Sequence, residues 1–402
     1  MGMNETPSAN RVHIAFFGRR NAGKSSVVNA VTGQELAVVS DVKGTTTDPV
    51  YKSMELLPLG PVMIIDTPGI DDEGALGALR VKKTKQVLNK TDVAVLIVDS
   101  LIGITETEED LLRLFREKEI PHLTVFNKSD LLESVPQRES AELYVSATDK
   151  TNIELLKNRL AAIAASEETK LQLVGDLIYP SDFVVLVVPI DKAAPKGRLI
   201  LPQQQTIRDI LEADATAIVV KEFELRDTLA SLGKTPRLVI TDSQVFAKVS
   251  ADTPSEIPLT SFSILFARYK GLLDTAVHGA SALETLRDGD KILIAEGCTH
   301  HRQCDDIGTV KLPRWIRNYT EKDLQFDFVS GADYPEDLSG YALVVHCGGC
   351  MLNEREVKYR QKCATDQQIP ITNYGILIAY MQGILQRSLE VFPHLRADTE
   401  VL

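Results

Sequence analysis

The segment Gly18-Arg19-Arg20-Asn21-Ala22-Gly23-Lys24-Ser25 has the spacing G-x-x-x-x-G-K-[ST]. In such a loop the glycines let successive backbone N–H groups curl around phosphate oxygens, the lysine reaches the β and γ phosphates, and the serine hydroxyl ligates Mg²⁺. Lys24 and Ser25 stand at those positions, with Asn21, Ala22, Gly23 and Ser26 completing the cradle. Asp66-Thr67-Pro68-Gly69 adds a carboxylate for the Mg²⁺ shell and, at Gly69, a backbone N–H for the γ-phosphate. In Asn127-Lys128-Ser129-Asp130 the Asn127 amide can donate to a purine carbonyl oxygen, while the Asp130 carboxylate accepts from ring and exocyclic N–H groups. Adenine lacks that donor pair, so the expected base is guanine. Ser146-Ala147-Thr148 supplies a further backbone donor to the base. Four elements in this order predict a site for GTP and GDP.

Sulfur is concentrated as narrowly. Four of the five cysteines and three of the seven histidines fall in two windows, Cys298 to Cys304 and His346 to Cys350. Cys347 and Cys350 have C-x-x-C spacing, and the two glycines between them let both sulfurs address one metal. Cys298 supplies a third soft ligand, and thiolate-rich sites select zinc, copper(I) or iron–sulfur clusters. A structural zinc closed by His300 or His346 and a [4Fe–4S] cluster on three cysteines both satisfy the spacing, which does not separate them. A thioredoxin-like pair is disfavoured, because its C-x-x-C opens a helix near the start of a domain and needs no distant histidine-rich partner. Cys304 and Cys363 read as small buried hydrophobes, and His301 is not an expected ligand.

Elements of matching period position these groups. The apolar run 11–18 ahead of the glycine loop reads as a strand and the sequence after it as a helix ending at Gly33. Further strand-like runs precede Asp66, Asn127 and Cys347. Strands alternating with helices predict an α/β chain with parallel sheets, an N-terminal P-loop domain followed by two further α/β domains. The expected boundaries are 1–170, 171–260 and 261–402. The middle part, lacking a catalytic constellation, reads as a structural or self-association module. Residues 261–286 and 375–392 each read as one long helix. Cys298 and Cys347 both end strands, so they can face one crevice although 48 residues separate them.

The nucleotide motifs resemble the translation-factor-like class of P-loop GTPases. That resemblance implies that Gly44 to Asp48 is switch I, with Thr46 a Mg²⁺ ligand. The position after Gly69 is Ile70, where many signalling GTPases carry a water-orienting glutamine. With Asn21 in the phosphate loop and a long switch I, the sequence resembles the potassium-activated GTPases, and the resemblance implies that Asn21 helps hold K⁺ beside the phosphates.

The cysteine motifs narrow this further. A GTPase domain, then C-x-H, then 45 residues, then H-C-x-x-C resembles the [FeFe]-hydrogenase maturation GTPase family, HydF, over the full chain. The resemblance implies a [4Fe–4S] cluster on Cys298, Cys347 and Cys350, with His300 and His346 as candidates for the fourth position. It also implies a homodimer through 175–260 and a carrier role, in which a diiron precursor made by two radical-enzyme maturases is delivered to the apo-hydrogenase. The rival reading is a zinc-stabilised, potassium-type GTPase in ribosome assembly or tRNA modification.

Bulk properties weigh on the choice. With 44 Lys and Arg against 56 Asp and Glu, the net charge is -12 and no basic stripe carries interleaved aromatics, so no nucleic-acid partner is expected. No segment approaches about 18 uninterrupted apolar residues, so no membrane association is expected and a cytoplasmic location is. An odd cysteine count there argues against a disulfide framework.

Overall fold

The computed structural model describes residues 7–34, 48–69, 83–136, 142–166, 172–190, 199–297, 306–331, 333–392 and 395. Two compact units form, Met1–Thr169 and Lys170–Leu402.

In the first unit, β1 (Val12–Phe17), β2 (Val50–Leu56), β3 (Gly60–Asp66), β4 (Val93–Asp99), β5 (His122–Asn127) and β6 (Glu142–Tyr144) form one sheet ordered β2-β3-β1-β4-β5-β6. Only the β2–β3 pair is antiparallel. Both faces are covered, as a parallel sheet requires. Successive side chains of β1 feed opposite cores: Ile14 and Phe16 pack with Val27, Val28 and Val125, while Ala15 and Phe17 pack with Leu88, Leu111 and Phe115. The carboxyl ends of β1, β3 and β5 therefore lie along one edge, carrying the phosphate loop, Asp66 and Asn127.

The second unit builds one design twice. The strands β7 (Phe183–Val187), β8 (Thr216–Val220), β9 (Leu238–Thr241) and β10 (Leu259–Ser261) form a parallel sheet ordered β10-β9-β7-β8. The strands β11 (Lys291–Glu296), β12 (Gln325–Ser330), β13 (Leu343–His346) and β14 (Ile371–Asn373) form another, ordered β12-β11-β13-β14. In both, the first strand is flanked by the second and third, and the fourth lies outside the third. The closing segments also correspond in sequence: Ile257-Pro258-Leu259-Thr260-Ser261-Phe262-Ser263-Ile264-Leu265 matches Ile369-Pro370-Ile371-Thr372-Asn373-Tyr374-Gly375-Ile376-Leu377. Ser261 and Asn373 each cap the following helix, accepting from the backbone N–H of Ile264 and Ile376. The two halves meet at equivalent positions, since a Cβ placed on Gly375 would lie 2.2 Å from Cβ of Ser263.

One core joins these halves, running through Val185, Ile240, Phe266, Ile294, Val345 and Ile378. Leu293, Ala295, Val344 and Ile371 form a smaller core on the other face of the last sheet. The two long helices expected from the sequence are each broken. Phe262–Tyr269 and Leu273–Ala280 are separated at Gly271, and Tyr374–Met381 and Leu385–Leu389 at Gly383. Both glycines have positive φ, 71° and 69°, which ends a helix without the Cβ clash other residues meet there.

Candidate functional site

The phosphate loop takes a conformation only its own residues tolerate. A Cβ on Gly18 would lie 2.3 Å from the Ile97 carbonyl oxygen, and one on Gly23 would lie 2.2 Å from Asn127 Nδ2. Gly23, at φ 86°, caps helix Lys24–Thr32, whose N-terminus presents free N–H groups and partial positive charge to an anion. Asn21 also has positive φ, 60°, a region asparagine enters more readily than most residues. Lys24 is buried and donates to the carbonyls of Gly18 at 3.0 Å and Arg19 at 2.7 Å. Arg19 in turn donates through Nε to the fully buried Glu108 at 2.6 Å. This brace went unforeseen, because Glu108 reads as an ordinary charged residue in helix Glu106–Glu117.

Ser25 Oγ donates to Asp66 Oδ2 at 2.8 Å. Asp66 Oδ1 is buried and has no hydrogen-bond partner among the described residues. Burial raises the Asp66 carboxyl above its ordinary range, against the Ser25 hydrogen bond and the Lys24 charge. A hydroxyl beside an orphaned buried carboxylate oxygen, at a helix N-terminus, is a donor set that fits Mg²⁺. Gly69 passes close to the phosphate loop, for a Cβ there would lie 2.9 Å from the Arg20 backbone nitrogen.

Asn127, 3% exposed, joins two loops: its Nδ2 donates to the Ala22 carbonyl at 3.1 Å, and its Oδ1 accepts from Ala147 N at 3.2 Å. In this geometry it braces the cradle, and one amide hydrogen remains to address a base. Lys128, with φ 66°, donates to Asp99 at 2.5 Å. Asp130 is exposed on the turn Ser129–Leu131. Ser146 is buried and its hydroxyl accepts from Asp149 N at 3.0 Å. Ser26 lies in the first turn of the helix begun by Lys24. Thr46 and Ile70 lie outside the described residues.

In the second unit, β11 and β13 are neighbours, with Ala295 opposite His346. The ladder runs one step further, Cys347 N donating to the Ala295 carbonyl at 2.8 Å. The Cys347 sulfur then accepts from Gly297 N at 3.0 Å and Gly349 N at 3.4 Å. Burial pushes this thiol up, while both N–H groups and the Arg360 charge pull it down. Gly349 has φ 63°, the turn that Cys347 to Cys350 requires. Two N–H groups on one sulfur, in a loop whose next cysteine is half-buried, form a donor set that fits a soft metal centre.

His346 is 1% exposed and both ring nitrogens are engaged: Nδ1 donates to the Cys347 carbonyl at 2.6 Å, and Nε2 accepts from Arg360 at 3.1 Å. Burial first and the Arg360 charge second push its pKa down to about 3. This neutral ring has no nitrogen left for a metal in this geometry, and it serves to orient the Cys347 peptide. Cys298, His300, His301 and Cys304 lie outside the described residues. Among the described residues, no three His, Cys, Asp or Glu side chains gather to hold a metal. Cys363, expected to be buried, is half-buried and packs against the edge of the smaller core.

The glycine cradle, the Ser25–Asp66 pair and the Asn127 brace, on this sheet order, define a P-loop GTPase domain. A family model described as 50S ribosome-binding GTPase matches residues 13–128. The hydrogen maturase F dimerization domain matches 173–271, and the hydrogen maturase F tetramerization domain matches 274–391. With those two domains behind its GTPase domain, the chain belongs to the hydrogen maturase F family.

Relatives by sequence match part of the chain. The tRNA modification GTPase MnmE of Nitrosomonas europaea is 34% identical over 158 residues, covering 38% of this chain and 35% of that protein. MnmE of Carboxydothermus hydrogenoformans is 36% identical over 166 residues, covering 39% and 35%. The chain thus spans about a third of the length of these curated relatives. Among solved structures, Aquifex aeolicus Era bound to GDP·AlF4⁻ is 19% identical, covers 52% of this chain and 93% of that one, and has a TM-score of 0.35. No helix among the described residues is long and apolar enough to cross a membrane.

Proposed function

We propose that this protein is a GTP-hydrolysing scaffold for maturation of [FeFe]-hydrogenase. In this reading it holds a [4Fe–4S] cluster on Cys298, Cys347 and Cys350 and delivers a diiron precursor, received from two radical-enzyme maturases, to the apo-hydrogenase. The observation that carries the cluster assignment is the Gly297–Cys347 contact, which brings the residue next to Cys298 against the sulfur of the other motif. His300 remains the candidate for the fourth iron position. His346 acts behind the ligands, since both its nitrogens have protein partners. The modules follow as 1–170 for nucleotide, 171–260 for dimerisation and 261–402 for the cluster.

In the nucleotide site, the loop amides and Lys24 hold the β and γ phosphates, and Gly69 N–H meets the γ-phosphate. Ser25, Thr46 and Asp66 hold Mg²⁺, which when bound offsets charge developing on the transferred group. Asp130, Asn127, Lys128, Ser146 and Ala147 enclose the guanine. With isoleucine at position 70, no side chain there orients water, so Asn21 is assigned to K⁺, whose charge would take the place of a donor. GTP and GDP states bias partner affinity through the switch segments and need not drive the metal chemistry.

Anaerobic reconstitution with ferrous iron and sulfide tests this. A brown protein with about four irons per chain, and a Cys347→Ser variant that loses the colour yet hydrolyses GTP, are the expected results. A colourless protein with one tight zinc ion would instead favour the tRNA- or ribosome-directed alternative, against which the charge of -12 already weighs.

A further inference from the structure

Helix Glu354–Asp366 follows the Cys347 to Cys350 loop and is rich in charge, yet its Arg360 is 1% exposed. The guanidinium spans the carboxyl ends of three parallel strands. Nη1 donates to the Glu296 carbonyl at the end of β11 at 3.5 Å and to His346 Nε2 at the end of β13 at 3.1 Å. Nη2 donates to the Gly331 carbonyl, just past β12, at 2.5 Å and to Glu356 at 2.8 Å. The ring of Tyr334 stacks against it, 5.1 Å from centroid to Cζ. Nε has no partner among the described residues.

A buried arginine with an unpartnered nitrogen is costly and persists where its fork does something a simpler residue cannot. Here a planar fork reaches two strand-end carbonyls and an imidazole at once, which the point charge of a lysine cannot. Those strand ends lead directly into Gly297 and Cys347. A second buried cation, Lys270, donates to the Leu352 carbonyl two residues past Cys350, at 2.9 Å, and so fixes the far end of the cysteine loop. The Glu356 carboxylate pairs with the same guanidinium as the strand ends, so what Arg360 contributes here is the geometry of its fork rather than a net positive field.

We propose that Arg360 is the positioning residue of the cysteine site: by tying the ends of β11, β12 and β13 together and locking His346, it sets the spacing between the Gly297 and Cys347 loops. The inference rests on the cluster reading above and deepens it. Arg360 acts through His346 and the strand ends, and touches no reacting atom.

The test uses the full chain, reconstituted anaerobically with ferrous iron and sulfide, as wild type, Arg360→Met, Arg360→Lys and Glu356→Gln. The readouts are iron per chain, the electron paramagnetic resonance spectrum after reduction, the rate of iron loss to a chelator, and GTP hydrolysis. Arg360→Met is expected to lose iron at least tenfold faster with an altered spectrum, while hydrolysing GTP normally. Arg360→Lys, keeping charge without the fork, should recover part of the retention with the spectrum still altered. Glu356→Gln, which leaves the arginine and its strand-end contacts in place but removes the charge paired with its fork, should shift both readouts in the same direction by a smaller factor, and it decides the matter if Arg360→Met does not fold. Wild-type spectra and loss rates in the folded variants would overturn the positioning role and leave the cluster reading standing. Wild type that binds no iron would overturn both.

Discussion

Gly297 holds the sulfur of Cys347, its backbone N–H donating to Sγ at 3.0 Å. The contact joins the tips of two adjacent parallel strands, and Cys298 is the next residue along. One peptide bond therefore separates a cysteine of one motif from the sulfur of the other.

Asp66→Asn should cost several kcal/mol of transition-state stabilisation, a loss of about 10²-fold or more in GTP turnover. The amide keeps the size of the side chain and the contact to Ser25, but removes the charge on the orphaned oxygen. Phosphate release against Mg²⁺ concentration measures it. A turnover and Mg²⁺ dependence equal to wild type would remove Asp66 from the metal shell.

Asp130→Asn should change the base that is bound. An amide in place of the carboxylate keeps an oxygen to accept from the ring N–H but loses the acceptor facing the exocyclic amino group of guanine, worth about 1.5–3 kcal/mol for a charged partner, and gains there a donor suited to the 2-carbonyl of xanthine. Affinities for GDP and XDP should move in opposite directions, and a parallel fall in both would point to a collapsed loop.

Gly23→Ala should abolish nucleotide binding and destabilise the first unit by about 1–3 kcal/mol. The new methyl meets Asn127 at 2.2 Å, and the backbone there has φ 86°. Thermal melts with and without GDP report both effects, and a normal ligand-induced rise in Tm would contradict this account of the loop.

Potassium should accelerate hydrolysis over sodium by about tenfold, the equivalent of about 1.4 kcal/mol of barrier. Asn21→Ala should erase that difference while leaving GDP affinity nearly unchanged. Equal rates of the wild type in the two salts would dismiss the potassium assignment.

Gly375→Ala should destabilise the second unit by about 1–3 kcal/mol, because the added methyl overlaps Ser263, its counterpart in the other half. Ser263→Gly in the same chain should restore part of the loss, since it empties the counterpart position while Ser243 Oγ still lies 2.7 Å from the added methyl. Chemical denaturation of the single and double variants decides it. Additive losses would mean that the two halves do not share this contact.

The nucleotide motifs were legible because each is local: a glycine loop, a strand end and a two-residue turn carry their chemistry wherever the sheet places them. The expected helix over 261–286 failed at Gly271, and that over 375–392 at Gly383, because apolar periodicity carries across a glycine that the backbone uses to turn. Asn127 was expected to donate to the base, and it also braces the Ala22 carbonyl, a partner 105 residues away.

Composition, spacing and period by themselves determined that this chain binds a guanine nucleotide on a parallel sheet and keeps its sulfur in two short windows. Tertiary structure decided that β11 and β13 are neighbours with β12 on the outside, which no local signal encodes because strand order is set by how helices cover the two faces. It also decided that Arg360, on a helix rich in charge, is buried beside the cysteine loop, since burial of a charge depends on partners supplied by three different strands.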